Sequence, residues 1–408
     1  MADITYDAII VGARCAGAPT AMLLARSGRR VLLLDRVRFP SDTLSTHWIH
    51  QPGVALLRRW GLLRQVVESG CPPIDRVTLD FGQLSLSGSP LPAAGVHSSY
   101  APRRTVLDEI LVKAAVDAGA ELREEFVVDE LLRDGEQVSG IRGHSRNGGA
   151  VSERARMVIG ADGLHSTVAR LVGAPRYQDR GVLAASYYTY WSGVPTDGVE
   201  VYVRRRRSWG MLPTHDGLTV LPLSWPRAEF DANRGDVERS YLAALDQAPE
   251  VAERVRAGRR EDRFRGSGEL GNFFRKPYGP GWALVGDAAM HKDPCTAQGI
   301  TDAFQDAELV AAAVHAGLSG EAPMEAGLQQ YEERRNRERM GIFEFTCQLA
   351  SLEPPPPEMQ HLLAAIHDDR VASDRFVSLI AGTETFESFF APANLAAMTG
   401  YRSRSLRS

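Results

Sequence analysis

The chain has 408 residues, with 47 Lys and Arg against 51 Asp and Glu for a formal charge of −4, and with 44% hydrophobic and 24% charged residues. That balance is ordinary for a soluble globular protein, and the length is enough for a large core in two domains. A slightly acidic chain is a poor general nucleic-acid binder, which needs a basic surface, so the expected partner is a small molecule and no nucleic acid.

The opening residues Met1 to Asp7 lack the basic-then-apolar order of a leader, and no apolar run approaches the ~20 residues of a membrane span. A cytoplasmic location and no membrane span are therefore expected. Cys15, Cys71, Cys295 and Cys347 are scattered, without a CxxC pair or a histidine at ligand spacing. Neither a metal site nor a disulfide framework is expected from them.

The first element is an apolar run over 8–11, followed by the turn 12–17, an Ala/Leu-rich helix to Arg26, and a second apolar run over 31–34 ending in Asp35. Continuous apolar strands of this kind belong to a parallel sheet covered on both faces, so the segment predicts a βαβ unit. A polar, Pro-containing loop over 36–51 and a helix over 53–60 follow. The alternation of Val77, Leu79, Phe81, Leu84 and Leu86 predicts antiparallel strands, and a second Ala/Leu helix is predicted over 105–118. Asp134-Gly135 predicts a hairpin between strands near 125–132 and 138–142.

From Gly181 to Trp225 the period is two, with Val199, Val201 and Val203 alternating with polar residues. This predicts a second, antiparallel sheet. Its aromatics Tyr187, Tyr188, Tyr190 and Trp191 either stack on a planar ligand or form sheet core. Residues 282–287 return to the buried-strand style, 300–315 predict a strong helix, and the helical remainder is broken by Pro354 to Pro357. The expected fold class is α/β: a Rossmann-like domain interrupted by an antiparallel sheet, with C-terminal helices.

A phosphate approaches a helix N-terminus closely only where side chains are small, since it needs backbone N–H groups and the positive end of the helix dipole. Gly12-Ala13-Arg14-Cys15-Ala16-Gly17 keeps the outer glycines of GxGxxG and places Arg14 at the middle one. With Asp35 ending the next strand, where a carboxylate accepts ribose hydroxyls, the residues Gly12, Ala13, Cys15, Ala16, Gly17 and Asp35 are dinucleotide-site candidates. The acidic residue disfavours a 2′-phosphate here, which selects FAD or NAD over NADP. A plain βαβ turn without ligand is the alternative.

Two later segments carry a family resemblance. Residues 157–170, with Asp162-Gly163, and residues 282–301, with Gly286-Asp287-Ala288-Ala289, Pro294 and Gly299, resemble the Asp-Gly and Gly-Asp motifs of the class A flavoprotein monooxygenases, the para-hydroxybenzoate hydroxylase-like group. With the N-terminal turn they stand in family order across roughly residues 5 to 315. The resemblance implies a discontinuous FAD-binding domain (1–70, 101–175 and 270–345), a substrate-binding sheet domain (71–100 and 176–269) and a C-terminal helical segment (346–408). It also implies a reaction in which NADPH or NADH reduces FAD, O2 adds at flavin C4a, and an activated, usually aromatic, small molecule is hydroxylated or epoxidised.

Carried over residue by residue, the resemblance gives Asp287 a ribityl hydroxyl and places the helix start at Gly299 and Ile300 against the flavin N1–C2=O edge, with Pro294 shaping the turn. It makes Arg104, in Arg-x-x-Leu-Asp, a cofactor contact and sets Val128 beside adenine. Asp162, His165 and Arg170 fall between the flavin diphosphate and the NAD(P)H path. Thr46 and His47 would line the isoalloxazine. His47 or His50 would deprotonate a phenol, the alternative being that either imidazole only fixes its loop. Arg36 and Arg38 would neutralise a nicotinamide-dinucleotide phosphate, and Arg204 to Arg207 would either draw in an anion or form a solvated face. Met290 and Thr301 stand where His and Asn are common in the family.

Two related classes share the FAD architecture. A flavin-dependent halogenase needs Trp-x-Trp-x-Ile-Pro, but Ser208 and Gly210 occupy the tryptophan places before Leu212-Pro213. A geranylgeranyl reductase-like saturase, the alternative function, needs Tyr-x-Trp-x-Phe-Pro, which Trp209 to Pro213 match only loosely.

Overall fold

A computed structural model describes residues 6–145 and 148–399. Residues 1–5, which bear on the leader reading, and 400–408, at the end of the C-terminal segment, lie outside the described residues.

Strand β1 (Tyr6–Val11) leads through the turn into helix α1 (Gly17–Arg26), and the chain returns in β2 (Val31–Leu34), parallel to β1. Both faces of β1 are covered, as its unbroken apolar run requires. Ala8 and Ile10 pack beneath α1, whereas Ile9 and Val11 meet Phe126, Val138 and Ile141 on the other side. The second cover is therefore a β-layer rather than helices. Helix α2 (Arg104–Asp117) and strand Glu121–Arg123 extend the unit beyond β2. The expected hairpin joins Phe126–Asp134 to Gln137–Ser145, with Gly135 at φ +64° in the turn. Strand β3 (Ala150–Gly160) is shared between layers: its first half pairs antiparallel with the hairpin and its second half runs parallel to β1.

The second sheet is built from β4 (Ala184–Ser192), β5 (Val199–Arg204), β6 (Arg207–Pro213), β7 (Thr219–Pro226) and the short β8 (Arg265–Ser267). Its order is Arg259–Arg260, β4, β7, β6, β5, Val77–Asp80 and Ser85–Gly88, with β8 also against β4. Period two divides its side chains cleanly. Tyr187, Trp191, Trp209, Leu223 and Trp225 face the helices Val237–Leu245 and Pro249–Ala257. Tyr188, Tyr190, Val199 and Leu212 face the opposite way, toward the loop that carries Trp48. All four aromatics of the Tyr187–Trp191 stretch are buried, so of the two readings the structure selects core.

The chain then rejoins the first sheet through β9 (Trp282–Leu284), parallel to β3. The expected strand to Asp287 stops earlier, because Gly286 turns at φ +62° into the short helical turn Gly286–Ala288 and donates its N–H to Asp306. Helix α3 (Gly299–Ser319) and the long α4 (Met324–Ala350) follow. Beyond the proline break, α5 (Arg370–Ala381) docks on the second sheet through Phe376 and Leu379. Asp374 and Ser378 of α5 accept the N–H groups of Ser89 and Leu91 at 2.7 and 2.8 Å. The fold is thus α/β: a Rossmann-like unit, an inserted sheet that is antiparallel except where β5 runs parallel to Val77–Asp80, and C-terminal helices closing over that sheet. Among the described residues no helix is long and apolar enough to cross a membrane.

Candidate functional site

The turn after β1 depends on its two outer glycines. A Cβ on Gly12 would lie 2.4 Å from the Ala161 carbonyl oxygen, and one on Gly17 would lie 1.7 Å from the Gly12 carbonyl oxygen. Gly12 also sits at φ +101°, a conformation L side chains rarely adopt. Asp35 accepts the N–H of Ala13 at 2.8 Å on one oxygen and that of Val37 at 3.0 Å on the other, which fixes its carboxylate at the mouth of the turn. No side chain caps α1 and no acid stands in its first turn, so its N–H groups and dipole are open to an anion.

Arg14 reaches away from the turn. Its guanidinium contacts Asp108 at 2.5 Å and the Ser41 hydroxyl at 2.7 Å, and it lies over the Phe39 ring. The middle-glycine position therefore tolerates a long side chain because that side chain leaves the phosphate approach clear. Asp108 is fully buried and also accepts from Arg104, whose Nη2 reaches its two oxygens at 2.9 and 3.1 Å and whose Nε reaches the nearer one at 3.1 Å. Burial opposes the charge on Arg104, but the adjacent Asp108 outweighs it and holds this guanidinium above its ordinary pKa. Burial pushes the Cys15 thiol up, so Cys15 stays protonated beside the same carboxylate.

Asp287 and Gly299 come together from opposite ends of the Gly-Asp loop, with the position of a Gly299 Cβ 3.9 Å from the Asp287 carboxylate. A Cβ on Gly286 would lie 2.9 Å from that of Ala16, so this loop abuts the start of α1. Burial raises the Asp287 pKa, partly countered by His291 and Arg104, and among the described residues its carboxylate takes no hydrogen bond from a protein donor. Helix α3 likewise begins without a side-chain cap, with Ile300 buried in its first turn. Such an unpartnered carboxylate between two open helix N-termini fits a ligand that brings hydroxyls and phosphates, as FAD does. Beneath α3 lies a buried ion network. Lys292 pairs with Asp302, and Arg339 reaches Asp302 at 3.0 Å and Asp306 at 2.6 Å. Burial raises the cost of the Asp302 charge, but Lys292 and Arg339 overcome it and leave its pKa below the usual range.

The loop before helix Gln51–Trp60 is locked by its histidines. His47 is fully buried at φ +66°, with Nε2 2.7 Å from the Tyr190 hydroxyl. His50 is also fully buried, and its Nε2 lies 3.1 Å from the Thr296 carbonyl oxygen. Burial above all lowers their pKa values, to about 3 for His47 and about 4 for His50, so both rings are neutral near pH 7. Between this loop and the second sheet lies a cleft. Thr46 and Trp48 form one wall, the Pro294–Thr296 turn with Ala297 forms the next, and the sheet face with Val201 and Pro222 forms the third. Thr46 and Pro294 open onto the cleft; neither imidazole does.

The remaining candidates are spread more widely. Asp162 accepts the Ser166 hydroxyl at 2.5 Å and the Thr167 N–H at 2.7 Å, and so steadies the start of helix Thr167–Val172, whose N-cap is Ser166. His165 and Arg170 are exposed on that same helix start. Val128 is buried two residues after Phe126, whose N–H donates to the Asp35 carbonyl, so strand Phe126–Asp134 begins beside the end of β2. Arg36 and Arg38 stand at the surface beyond Asp35. In the arginine run, Arg204 pairs with Asp80 while Arg206 and Arg207 share Glu229, so those three charges are already matched. Sequence reasoning missed Asp108 as the hub of two arginines, although its i+4 spacing from Arg104 on a helix was a usable signal. It also missed Lys292–Asp302 and Tyr190–His47, whose partners meet only through tertiary packing.

Residues 5–346 match the family described as FAD binding domain. Rifampicin monooxygenase of Streptomyces venezuelae is 26% identical over 403 residues, covering 88% of this chain and 75% of that protein. Digeranylgeranylglycerophospholipid reductase 1 of Methanopyrus kandleri is 27% identical over 360 residues, covering 86% and 91%. Among solved structures, the myxobacterial chondrochloren halogenase CndH superposes with a TM-score of 0.79 at 22% identity, over 97% of this chain and 96% of that one. At that identity the halogenase shows the shared fold alone.

Proposed function

Because the chain belongs to the FAD binding domain family and is a flavin-dependent oxidoreductase of the class A monooxygenase-like group, we propose that it is an FAD-dependent monooxygenase acting on an aromatic or polyketide-like small molecule, with NADPH or NADH and O2 as co-substrates. The observation that carries this reading is the cleft wedged between the Pro294 turn and the second sheet, next to the start of α3. When bound, FAD supplies the transfer of electrons from reduced nicotinamide to oxygen.

The chain's own residues supply position and environment. The Gly12–Gly17 turn and the open end of α1 hold the diphosphate, with Arg104 nearby and Asp35 on the adenosine ribose. Asp287 would hold a ribityl hydroxyl, and the first-turn N–H groups of α3, at Gly299 and Ile300, would stabilise negative charge on the flavin ring system. Thr46 and Pro294 frame the reacting face. His47 and His50, buried and hydrogen-bonded away from the cleft, fix the loop and leave the proton chemistry to the substrate and solvent. Arg36 and Arg38 offer positive charge to the nicotinamide dinucleotide.

The similarity to the Methanopyrus reductase favours a second reading, reduction of a carbon–carbon double bond. Purified protein carrying flavin, given NADPH or NADH in air with a panel of phenols and quinones, separates the two. A monooxygenase consumes oxygen in step with reductant and adds one oxygen atom to the product by mass. Reductant consumption without oxygen uptake, and a product gaining only hydrogen, would establish the saturase instead.

A further inference from the structure

We propose that the cleft selects uncharged substrates whose polar edge is made of hydroxyl or carbonyl groups, read by the hydroxyls of Ser186, Ser208 and Ser224 on three adjacent strands, and that it excludes carboxylates. The inference rests on the monooxygenase reading and names the substrate class for that site.

The row follows from strand register. Ser208 of β6 lies opposite Ser224 of β7, Ser224 lies opposite Ser186 of β4, and Ser186 lies opposite Ser267 of β8. Directly opposed residues share a sheet face, so all four hydroxyls stand on one side, over a span of about 14 Å at the usual strand spacing. Ser186, Ser208 and Ser224 line the cleft. The oxygens of Ser186 and Ser224 are 2.6 Å apart. One proton fills that contact, leaving the second hydroxyl proton and the remaining lone pairs for a ligand. Among the described residues the Ser208 hydroxyl has no protein hydrogen-bond partner.

Around this row the lining is apolar or neutral, and no charged side chain of the described residues lines the cleft. The neighbouring arginines are committed elsewhere: Arg207 to Glu229, and Arg265 to Asp42 and Asp262. A carboxylate brought into such a wall loses its hydration and finds no cation in return, whereas a phenol, alcohol or carbonyl exchanges water for a serine hydroxyl at little cost. Shape agrees with chemistry. Gly210 stands between Ser208 and Leu212 on the same strand face, so the positions at which a Trp-x-Trp element would place two indoles instead leave the floor flat and open.

The test uses the FAD-loaded full chain and two anthraquinones that differ only in one substituent, aloe-emodin with a hydroxymethyl group and rhein with a carboxylate. Binding is followed by quenching of tryptophan fluorescence, since Trp48 and Trp209 border the cleft. Aloe-emodin is expected to bind at least about tenfold more tightly than rhein. The Ser208→Ala/Ser224→Ala variant should lose about tenfold in aloe-emodin affinity with flavin content unchanged, and Ser208→Arg should reverse the preference toward rhein. Equal or tighter binding of rhein, no binding of either compound, or an unchanged aloe-emodin affinity in the double serine variant would overturn the inference. Oxygen consumption is read separately. Selective binding without oxygen uptake would keep the inference and sink the monooxygenase reading, while oxygen uptake with rhein bound equally well would do the reverse.

Discussion

Replacing Asp108 by Asn should destabilise the protein more when FAD is absent than when it is bound. Asp108 has no exposed surface and is the counter-charge for Arg104, whose side chain is 9% exposed, and for Arg14, at 22%. Removing one partner of a buried ion pair strands the other, at a cost of about 3–5 kcal/mol. An unfolding entropy of ~2.1 cal/mol/K per residue over this length gives roughly 0.9 kcal/mol/K, so a loss near 4 kcal/mol lowers Tm by about 5 °C. If Arg104 also faces the cofactor diphosphate, the bound anion restores part of the missing charge. The loss should then shrink by about 1–2 °C when FAD saturates the site. Thermal melts of both proteins, after flavin removal and after reconstitution, read these numbers directly. An apo midpoint within about 1 °C of the parent would refute the buried-charge argument, and an equal loss in both states would refute a diphosphate contact for Arg104.

Three further outcomes are expected. Gly17→Ala places a Cβ inside the Gly12 carbonyl, so the purified variant should be colourless while the parent shows flavin absorbance. Asp287→Ala removes a hydrogen bond to a charged acceptor worth about 1.5–3 kcal/mol, so its FAD Kd, read by flavin fluorescence titration, should rise about ten- to a hundredfold. His47 and His50 titrate at about 3 and about 4 in the fold but near 6.5 once unfolded, so on acidification the unfolded chain takes up protons that the folded one refuses. Stability should therefore fall as pH drops through the unfolded value, by on the order of 4 kcal/mol between pH 7 and pH 5 for the pair. In urea unfolding at the two pH values the His47→Gln/His50→Gln variant should lose correspondingly less, and an identical loss would show that these rings are not buried neutral.

Much of the fold was legible because its signals are local. The unbroken apolar runs of β1 and β2 demanded a sheet covered on both faces, the outer glycines and Asp35 marked the turn between them, and Asp134-Gly135 marked a hairpin that forms as expected. The period-two stretch gave the second sheet. What covers each face was not legible, since an apolar residue wants burial without specifying its neighbour. Ile9 and Val11 could have met helices, and it is the tertiary structure that sets a β-layer there. The same limit governs the site. Local pattern names Gly12 and Gly17 for their turn and Asp35 for its place at a strand end, and the family resemblance names Asp287 and Gly299. The partners of Arg14, Lys292, His47 and Ser208 lie on other elements, from 10 to 143 residues away, and only the packing of those elements brings them within hydrogen-bond or cross-strand reach. A histidine in a loop reads as a base or a strut with equal ease from sequence; burial and a 2.7 Å contact between Nε2 and the Tyr190 hydroxyl fit the strut, because the ring does not line the cleft.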